Sequence, residues 1–310
     1  MTRVLLAACL LLAAPPEEAA VQGLYEGTLK DAKAEARVVA TGKGGFKAYL
    51  RVTGTDGKLS KVELDGKIEG EGAAFSGKGG ETAAWTAGTL SGKCGDAALE
   101  LKRVQRKSPT LGKKPPEGAV VLLDGKNFGE LSKGKDKDGQ EADWQAGDDG
   151  SIQVPKGGMS SKQQFDGGFD FHVEFMCPLM PAARGQGRGN SGCYLPNGDE
   201  VQVLDSFGDP TYTGGGCGGL YKYKDPDAFD VFSLASLPPL EWQTYDMEYR
   251  VEMKDGKPSG KPRLTVHHNG IRIHDAVEIE KAAKKGGFQF QDHGNPVRYR
   301  NIWVKAVGKP

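Results

Sequence analysis

Phe288-Gln289-Phe290-Gln291-Asp292-His293-Gly294-Asn295-Pro296-Val297-Arg298-Tyr299-Arg300-Asn301-Ile302-Trp303-Val304 puts Phe288 and Phe290 on one side of an extended chain and Gln289, Gln291 and His293 on the other. A period of two belongs to a strand that packs one face and exposes the other. Glu200-Val201-Gln202-Val203 repeats the device, with the two valines inward and a carboxylate beside an amide outward. Asp205 follows on the core side unless a bulge re-aims it. Further β-type runs lie at Val120 to Leu123, Phe169 to Phe175, Gly192 to Leu204, Gln243 to Met253, Arg263 to His268 and Val297 to Val307. Only Val277 to Lys285 reads as a helix, and it is brief. Many strands without intervening helices predict an all-β fold, an antiparallel β-sandwich over residues 119–308.

Upstream, residues 22–105 alternate short β-type runs with glycine turns and read as a small antiparallel β domain, a sheet or a barrel. Alternation is plain in Lys47-Ala48-Tyr49-Leu50-Arg51-Val52, and Asp56-Gly57 and Asp65-Gly66 are hairpin-turn signals. This domain has no histidine and no clustered carboxylates with an obvious chemical spacing, so it reads as a structural or docking module whose partner the sequence does not identify. Residues 106–118 hold three prolines and no periodicity, as a semi-rigid linker would. Residues 1–20 have the anatomy of an export signal: Arg3, then apolar Val4 to Ala14, then a small polar exit. Leu6-Ala7-Ala8-Cys9 resembles a lipoprotein box but arrives after too few apolar residues, so a periplasmic or secreted location without a lipid anchor is expected. No later run is long enough to cross a membrane as a helix.

Composition narrows the function classes. A chain of 310 residues allows about two domains. Lys plus Arg and Asp plus Glu each total 41, so no net field draws the chain to nucleic acid or anionic lipid. Glycine, at 46 residues, is about twice its usual ~7% share, which suits a turn-rich β protein. Beyond Cys9, the cysteines are Cys94, Cys177, Cys193 and Cys217, without the close spacing of a structural zinc site. An oxidising compartment permits disulfides, Cys94 stands apart from the rest, and a buried apolar thiol is the plain alternative for each.

The polar residues most able to act fall in the strings 188–206 and 288–304. Amides, arginines and carboxylates along one sheet face suit a carbohydrate, which demands many oriented hydrogen bonds. Arg188-Gly-Asn-Ser-Gly, Glu200-Val-Gln-Val-Leu-Asp-Ser206, Glu241-Trp-Gln-Thr-Tyr-Asp246 and Gln291-Asp-His-Gly-Asn-Pro-Val-Arg-Tyr-Arg-Asn-Ile-Trp303 together resemble the domain of unknown function 1080 family, described as 3-keto-glycoside lyases and hydratases or 3-keto-disaccharide hydrolases. The resemblance runs over about residues 118–308, and the linker and preceding module are similar to a two-domain branch seen in planctomycete-like bacteria. Two departures stand out: Cys193 where an aliphatic residue is usual, and Gly-Gly-Phe-Gln-Phe ahead of Gln291.

The resemblance implies a concanavalin A-like sandwich (jelly roll) and a reaction that begins at the acidified C2 proton of a 3-keto sugar, expels the C1 substituent and adds water. Such chemistry needs a base, a stabiliser for the enolate and a proton donor for the leaving oxygen. Glu200 or His293 could serve as base, and Arg188 or Arg300 could stabilise the enolate. Asn190, Gln202 and Gln291 could orient hydroxyls, while Asp205 is a substrate-binding candidate or a strand-end cap. A divalent metal held by Glu200, Asp205 and His293 is left open, since no compact ligand motif compels it. Trp144, Trp242 and Trp303 read as core, and His267-His268 as surface or packing residues. Two rivals remain. Glu200-x-Gln202-x-x-Asp205 superficially echoes a two-carboxylate glycosidase string, and a sandwich can also be a lectin-like binding module.

Overall fold

The computed structural model describes residues 17–208, 211–227 and 235–308; of the segment read as an export signal, residues 1–16 lie outside these. Residues 17–20 belong to a helical turn, Glu17–Val21, tied to the following domain. Glu18 Oε1 accepts from the Gly44 amide at 2.8 Å, and the Arg103 guanidinium donates to the Ala20 carbonyl at 2.7 Å.

Eight antiparallel strands between Gly23 and Val104 form a meander that closes into a barrel, the first strand, Gly23–Leu29, pairing with the last, Ala97–Val104. Closure removes both sheet edges. Alternate side chains fill the interior, among them Tyr25, Val38, Leu50, Phe75 and Leu101, so the barrel carries a packed core. Asp56-Gly57 makes the expected turn, but Asp65-Gly66 does not. Gly66 lies inside the strand Leu59–Glu69, where a Cβ would stand 2.4 Å from the ring of Phe75 on the neighbouring strand. Glycine there makes room for an aromatic ring.

Past the linker, two antiparallel sheets face one another. The smaller has five strands in the order Leu131–Lys133, Met159–Ser161, Gln289–Phe290, Ser191–Tyr194 and Glu200–Val203. The larger has eight and is centred on Arg298–Val307, Gly168–Met176 and Gln243–Lys254. Phe169, Phe171, Val173 and Phe175 of the larger sheet meet Phe290, Cys193, Val201 and Val203 of the smaller, all buried. The helix read over Val277 to Lys285 is absent: Val277 and Glu278 close the strand Ile271–Glu278, and the chain then runs irregularly. Tertiary bonds account for this, since Asn197 donates to the Lys281 carbonyl at 3.0 Å and the Ile279 amide reaches the Pro262 carbonyl at 3.1 Å. All four cysteines described carry unpaired thiols, and Cys177, Cys193 and Cys217 are buried.

The linker is no free spacer, because it lies across the outer face of the larger sheet. Ser108 Oγ meets Thr244 Oγ1 at 2.6 Å, Thr110 Oγ1 donates to Asp246 at 2.5 Å, and the Gly112 amide donates to Glu174 at 2.6 Å. Beneath it His172, fully buried, lies 2.9 Å from Asp246 and 3.7 Å from Glu174 and stacks on Trp303. Burial alone would push Glu174 and Asp246 up. Hydrogen bonds from His172, Asn301, Gly112 and Arg300 to Glu174, and from His172, Thr110 and Lys113 to Asp246, instead pull both carboxyls down to about 2. Burial likewise disfavours the His172 cation, but the two carboxylates outweigh it and raise its pKa.

The signs of these shifts set a pH window. The carboxylates add stability above the ordinary carboxylate range and lose it as pH falls toward 2. His172, with its pKa raised, adds stability that is complete below about 6.5 and is lost as pH rises through the shifted value. Asp246→Asn should therefore cost about 3 kcal/mol by denaturant unfolding at pH 6, and the difference should shrink toward pH 9.

Candidate functional site

The outer face of the smaller sheet carries the other polar cluster. Register places Tyr194 opposite Glu200, Gly192 opposite Gln202 and Gln289 beside Tyr194. With Val201, Val203, Cys193 and Phe290 committed to the core, Glu200, Gln202, Tyr194 and Gln289 turn outward together. Gln291 joins them, its amide N–H donating to the Gly192 carbonyl and its side chain to the Tyr194 hydroxyl at 3.1 Å.

Glu200 is the centre of this cluster. Its carboxyl lies across Gly192, so close that a Cβ there would come within 2.0 Å of Oε1. The residue is 7% exposed and stands across the register from Tyr194, whose phenol acts on its carboxyl. Burial raises its pKa, and the Tyr194 bond and the charges of Lys281 and Lys222 only partly offset this. Tyr194 is likewise raised, by burial and by the Glu200 charge, and stays protonated near neutrality. Since Gln291 donates to the phenol oxygen, the Tyr194 hydroxyl keeps its own proton to donate.

Two walls flank this pair. On one side, Ser160, Tyr194, Gln289, Gln291 and Asp292 line a hollow of about 500 Å³. On the other, the loop carrying Tyr212 and Tyr221 folds over the edge strand, the Tyr221 amide bonding the Glu200 carbonyl at 3.0 Å and the two phenols meeting at 3.0 Å. Tyr212 is 45% exposed, the kind of ring face on which a sugar packs. Gln186, half-buried, completes the row. Its Oε1 accepts from Gln202 at 2.9 Å and Asn190 at 3.1 Å, and its Nε2 donates to the Gly215 carbonyl at 2.8 Å.

The structure gathers some of the residues expected from sequence and scatters others. Glu200 and Gln291 meet at Tyr194. Gln202 and Asn190, each 1% exposed, spend their amide donors on Gln186, so they shape the site from beneath instead of touching a hydroxyl directly. Arg188 does not join Glu200: it is buried, its Nε donates to Asp205 at 2.7 Å and its Nη1 reaches the barrel carbonyl of Ala40 at 3.4 Å. Asp205 is thereby taken as a structural partner, also accepting from the Phe207 amide at 3.1 Å. Arg300 stands on the outer face of the other sheet, paired with Glu174 at 2.7 Å and 4.0 Å from the Trp242 ring, where it cannot reach an enolate over Glu200. The outward row ends at Gln291, because the strand Gln289–Phe290 gives way to a turn in which Asp292 caps the Gly294 amide. His293 is therefore exposed in that turn, outside the lining of the hollow.

The metal set of Glu200, Asp205 and His293 is not gathered either, and among the described residues no three His, Cys, Asp or Glu side chains cluster as ligands would. Sequence reasoning passed over Tyr194, Gln186 and the Tyr212–Tyr221 pair. Tyr194 was within reach, since alternation from Cys193 puts it on the Glu200 face; Gln186 and the tyrosine loop gave no periodic signal.

A family model described as the 3-keto-alpha-glucoside-1,2-lyase-like domain matches residues 118–305. Among solved structures, the chain is similar to a candidate glycosyl hydrolase from Parabacteroides distasonis ATCC 8503, with a TM-score of 0.52 and 33% identity over 62% of this chain and 85% of that one. No curated protein matches the chain.

Gly192→Ala tests whether the position of Glu200 matters. The added methyl must push the carboxyl off its seat beside Tyr194. Displacement of about 1 Å is expected to lower turnover ~100-fold with the far-ultraviolet circular dichroism unchanged.

Proposed function

The chain belongs to the 3-keto-alpha-glucoside-1,2-lyase-like family, and we propose that it cleaves 3-keto-glycosides, 3-keto-disaccharides among them, with Glu200 as the base. A glycosyl hydrolase or lyase-like enzyme is what the family and the similar structure indicate. The finer reading is supported by one observation: Asp205, the second carboxylate of the Glu200-x-Gln202-x-x-Asp205 string, is fully buried and spent on Arg188 at 2.7 Å, so it is no free partner for Glu200. A two-carboxylate hydrolysis requires such a partner at about 5–9.5 Å. A ketone at C3 removes the requirement, because the C2 proton becomes acidic enough for one base.

In this reading the sugar sits over Tyr194, with Tyr212 and Tyr221 along its flank. Glu200 takes the C2 proton, the C–H electron pair forms the C1–C2 double bond, and the C1–O pair leaves with the aglycone oxygen. That oxygen receives the Tyr194 proton, and protonated Glu200 resupplies the phenol, so one proton travels from C2 to the leaving group. Water then adds across the double bond to give the free 3-keto sugar. The enolate oxygen faces neutral amide donors, Gln291 and Gln289, in place of the arginines expected from sequence. A carboxyl with a raised pKa is the stronger base, and its burial beside a phenol supplies that shift. Export, the reading of residues 1–20, would bring the enzyme to glycans outside the cytoplasm.

Incubation with a 3-keto-disaccharide and with its unoxidised parent separates the readings. Release of the keto sugar from the oxidised compound alone is expected; turnover of the parent would mean a conventional glycosidase, and binding without turnover a lectin. Glu200→Gln should lose about 10³-fold in kcat, within the range for a general base, whereas His293→Ala should stay within about twofold. Tyr194→Phe removes a hydrogen bond that lowers the Glu200 pKa, so the acid limb of kcat/KM should move to higher pH.

A further inference from the structure

The barrel has a packed interior, and it touches the sandwich at two segments that flank Glu200. The geometry points to the barrel as a clamp on the site and to Gln186 as the positioning residue through which it acts. This inference rests on Glu200 being the centre of the site, not on the identity of the sugar.

The first seam holds the Gln186 turn at both ends. Gln186 is the middle residue of the short 3-10 turn Gly185–Gly187. Just before it, Arg184 Nη2 donates to the barrel carbonyl of Thr41 at 2.9 Å; just after it, Arg188 Nη1 reaches that of Ala40 at 3.4 Å. Both carbonyls belong to one barrel strand, Ala32–Gly42. The Arg188–Asp205 pair is fully buried, so each acceptor the guanidinium finds offsets part of its desolvation. Ala40 supplies one acceptor from outside the sandwich. Held at both ends, Gln186 can accept from Gln202 and Asn190 and donate to Gly215 at once, joining the turn, the Glu200 strand and the tyrosine loop.

The second seam is apolar. Leu24 and Val39 of the barrel pack with Phe207 and Leu237 of the sandwich, and the Arg37 guanidinium stands 5.5 Å over the Phe207 ring. Beside Phe207, Ser206 Oγ accepts from the Cys217 amide at 2.8 Å. The following residues bond the Glu200 strand directly, the Gly218 amide to the Gln202 carbonyl at 2.9 Å and the Tyr221 amide to that of Glu200 at 3.0 Å. Pressure of the barrel on Phe207 is thus carried to the wall that bears Tyr212 and Tyr221.

The test uses the full chain with Arg184→Ala, Gln186→Ala, their double variant and Val39→Ala. Kinetics are followed on a 3-keto-disaccharide, and amide hydrogen exchange over residues 211–221 without substrate. Arg184→Ala and Val39→Ala are expected to raise KM about five- to tenfold with kcat within about twofold, a coupling of the size found between residues of one network. Arg184→Lys, which keeps a donor, should restore most of the loss, and Arg184→Ala should add nothing in the Gln186→Ala background. Exchange over 211–221 should quicken in Val39→Ala. Additive effects of Arg184→Ala and Gln186→Ala, or an unmoved KM with unmoved exchange, would overturn the clamp. If the wild-type chain does not turn over the keto-disaccharide, the proposed reaction fails, and exchange alone decides the clamp: quickened exchange supports it and unchanged exchange overturns it.

Discussion

Phe288 pins the two sheets of the sandwich together. Its ring stacks on Phe171 at 4.4 Å and takes Phe169 and Phe165 edge-on at 5.0 and 5.3 Å. Full burial of such a ring contributes about 1.5–3 kcal/mol, but its larger effect is directional. With Phe288 and Phe290 held inward, the pleat turns Gln289 and Gln291 outward, and the register passes that orientation to Tyr194 and from there to Glu200. The polar face is thus a consequence of the aromatic layer beneath it. A slip of one residue would bury the amides and expose the rings.

Charge divides the buried carboxylates into two kinds. Glu174 and Asp246, fed by His172, Arg300, Lys113 and several hydrogen bonds, are held at about 2 and serve as fastenings for the linker. Asp205 is matched by Arg188 at the seam with the barrel. Glu200 has no such cation bonded to it, only a phenol and the more distant lysines, and burial leaves it raised. Their surroundings thus push these carboxylates in opposite directions, and the raised one, Glu200, is the base proposed above.

Much of the fold was legible. The β-type run Val120 to Leu123 is a strand with the bounds expected, and the outward row of Gln289 and the inward Phe290 stand as their alternation predicts. The misreadings share a cause. Asp65-Gly66 carries the local chemistry of a turn, but a ring on the next strand needs the space; residues 279–285 carry helical composition, but Asn197 and Pro262 take their backbone groups. Composition along seven or eight residues holds no information about a neighbour that far away in the chain.

The site divides along the same line. Period-two alternation is a property of the backbone, so the outward row of Glu200 and Gln202, and of Gln289 and Gln291, could be read from sequence. Which of many polar residues share a cavity depends on strands brought together from distant parts of the chain. Arg188 and Arg300 look equally catalytic in a motif, yet one is buried against the barrel and the other lies on the far face of the opposite sheet. The sequence by itself determined an all-β antiparallel fold and the polarity of the strand faces that carry Glu200 and Gln289, because those follow from local geometry and burial. Only the tertiary structure decided that Glu200 stands with Tyr194 and that the linker is fastened down, because a hydrogen bond or ion pair forms where the packed core delivers its partners.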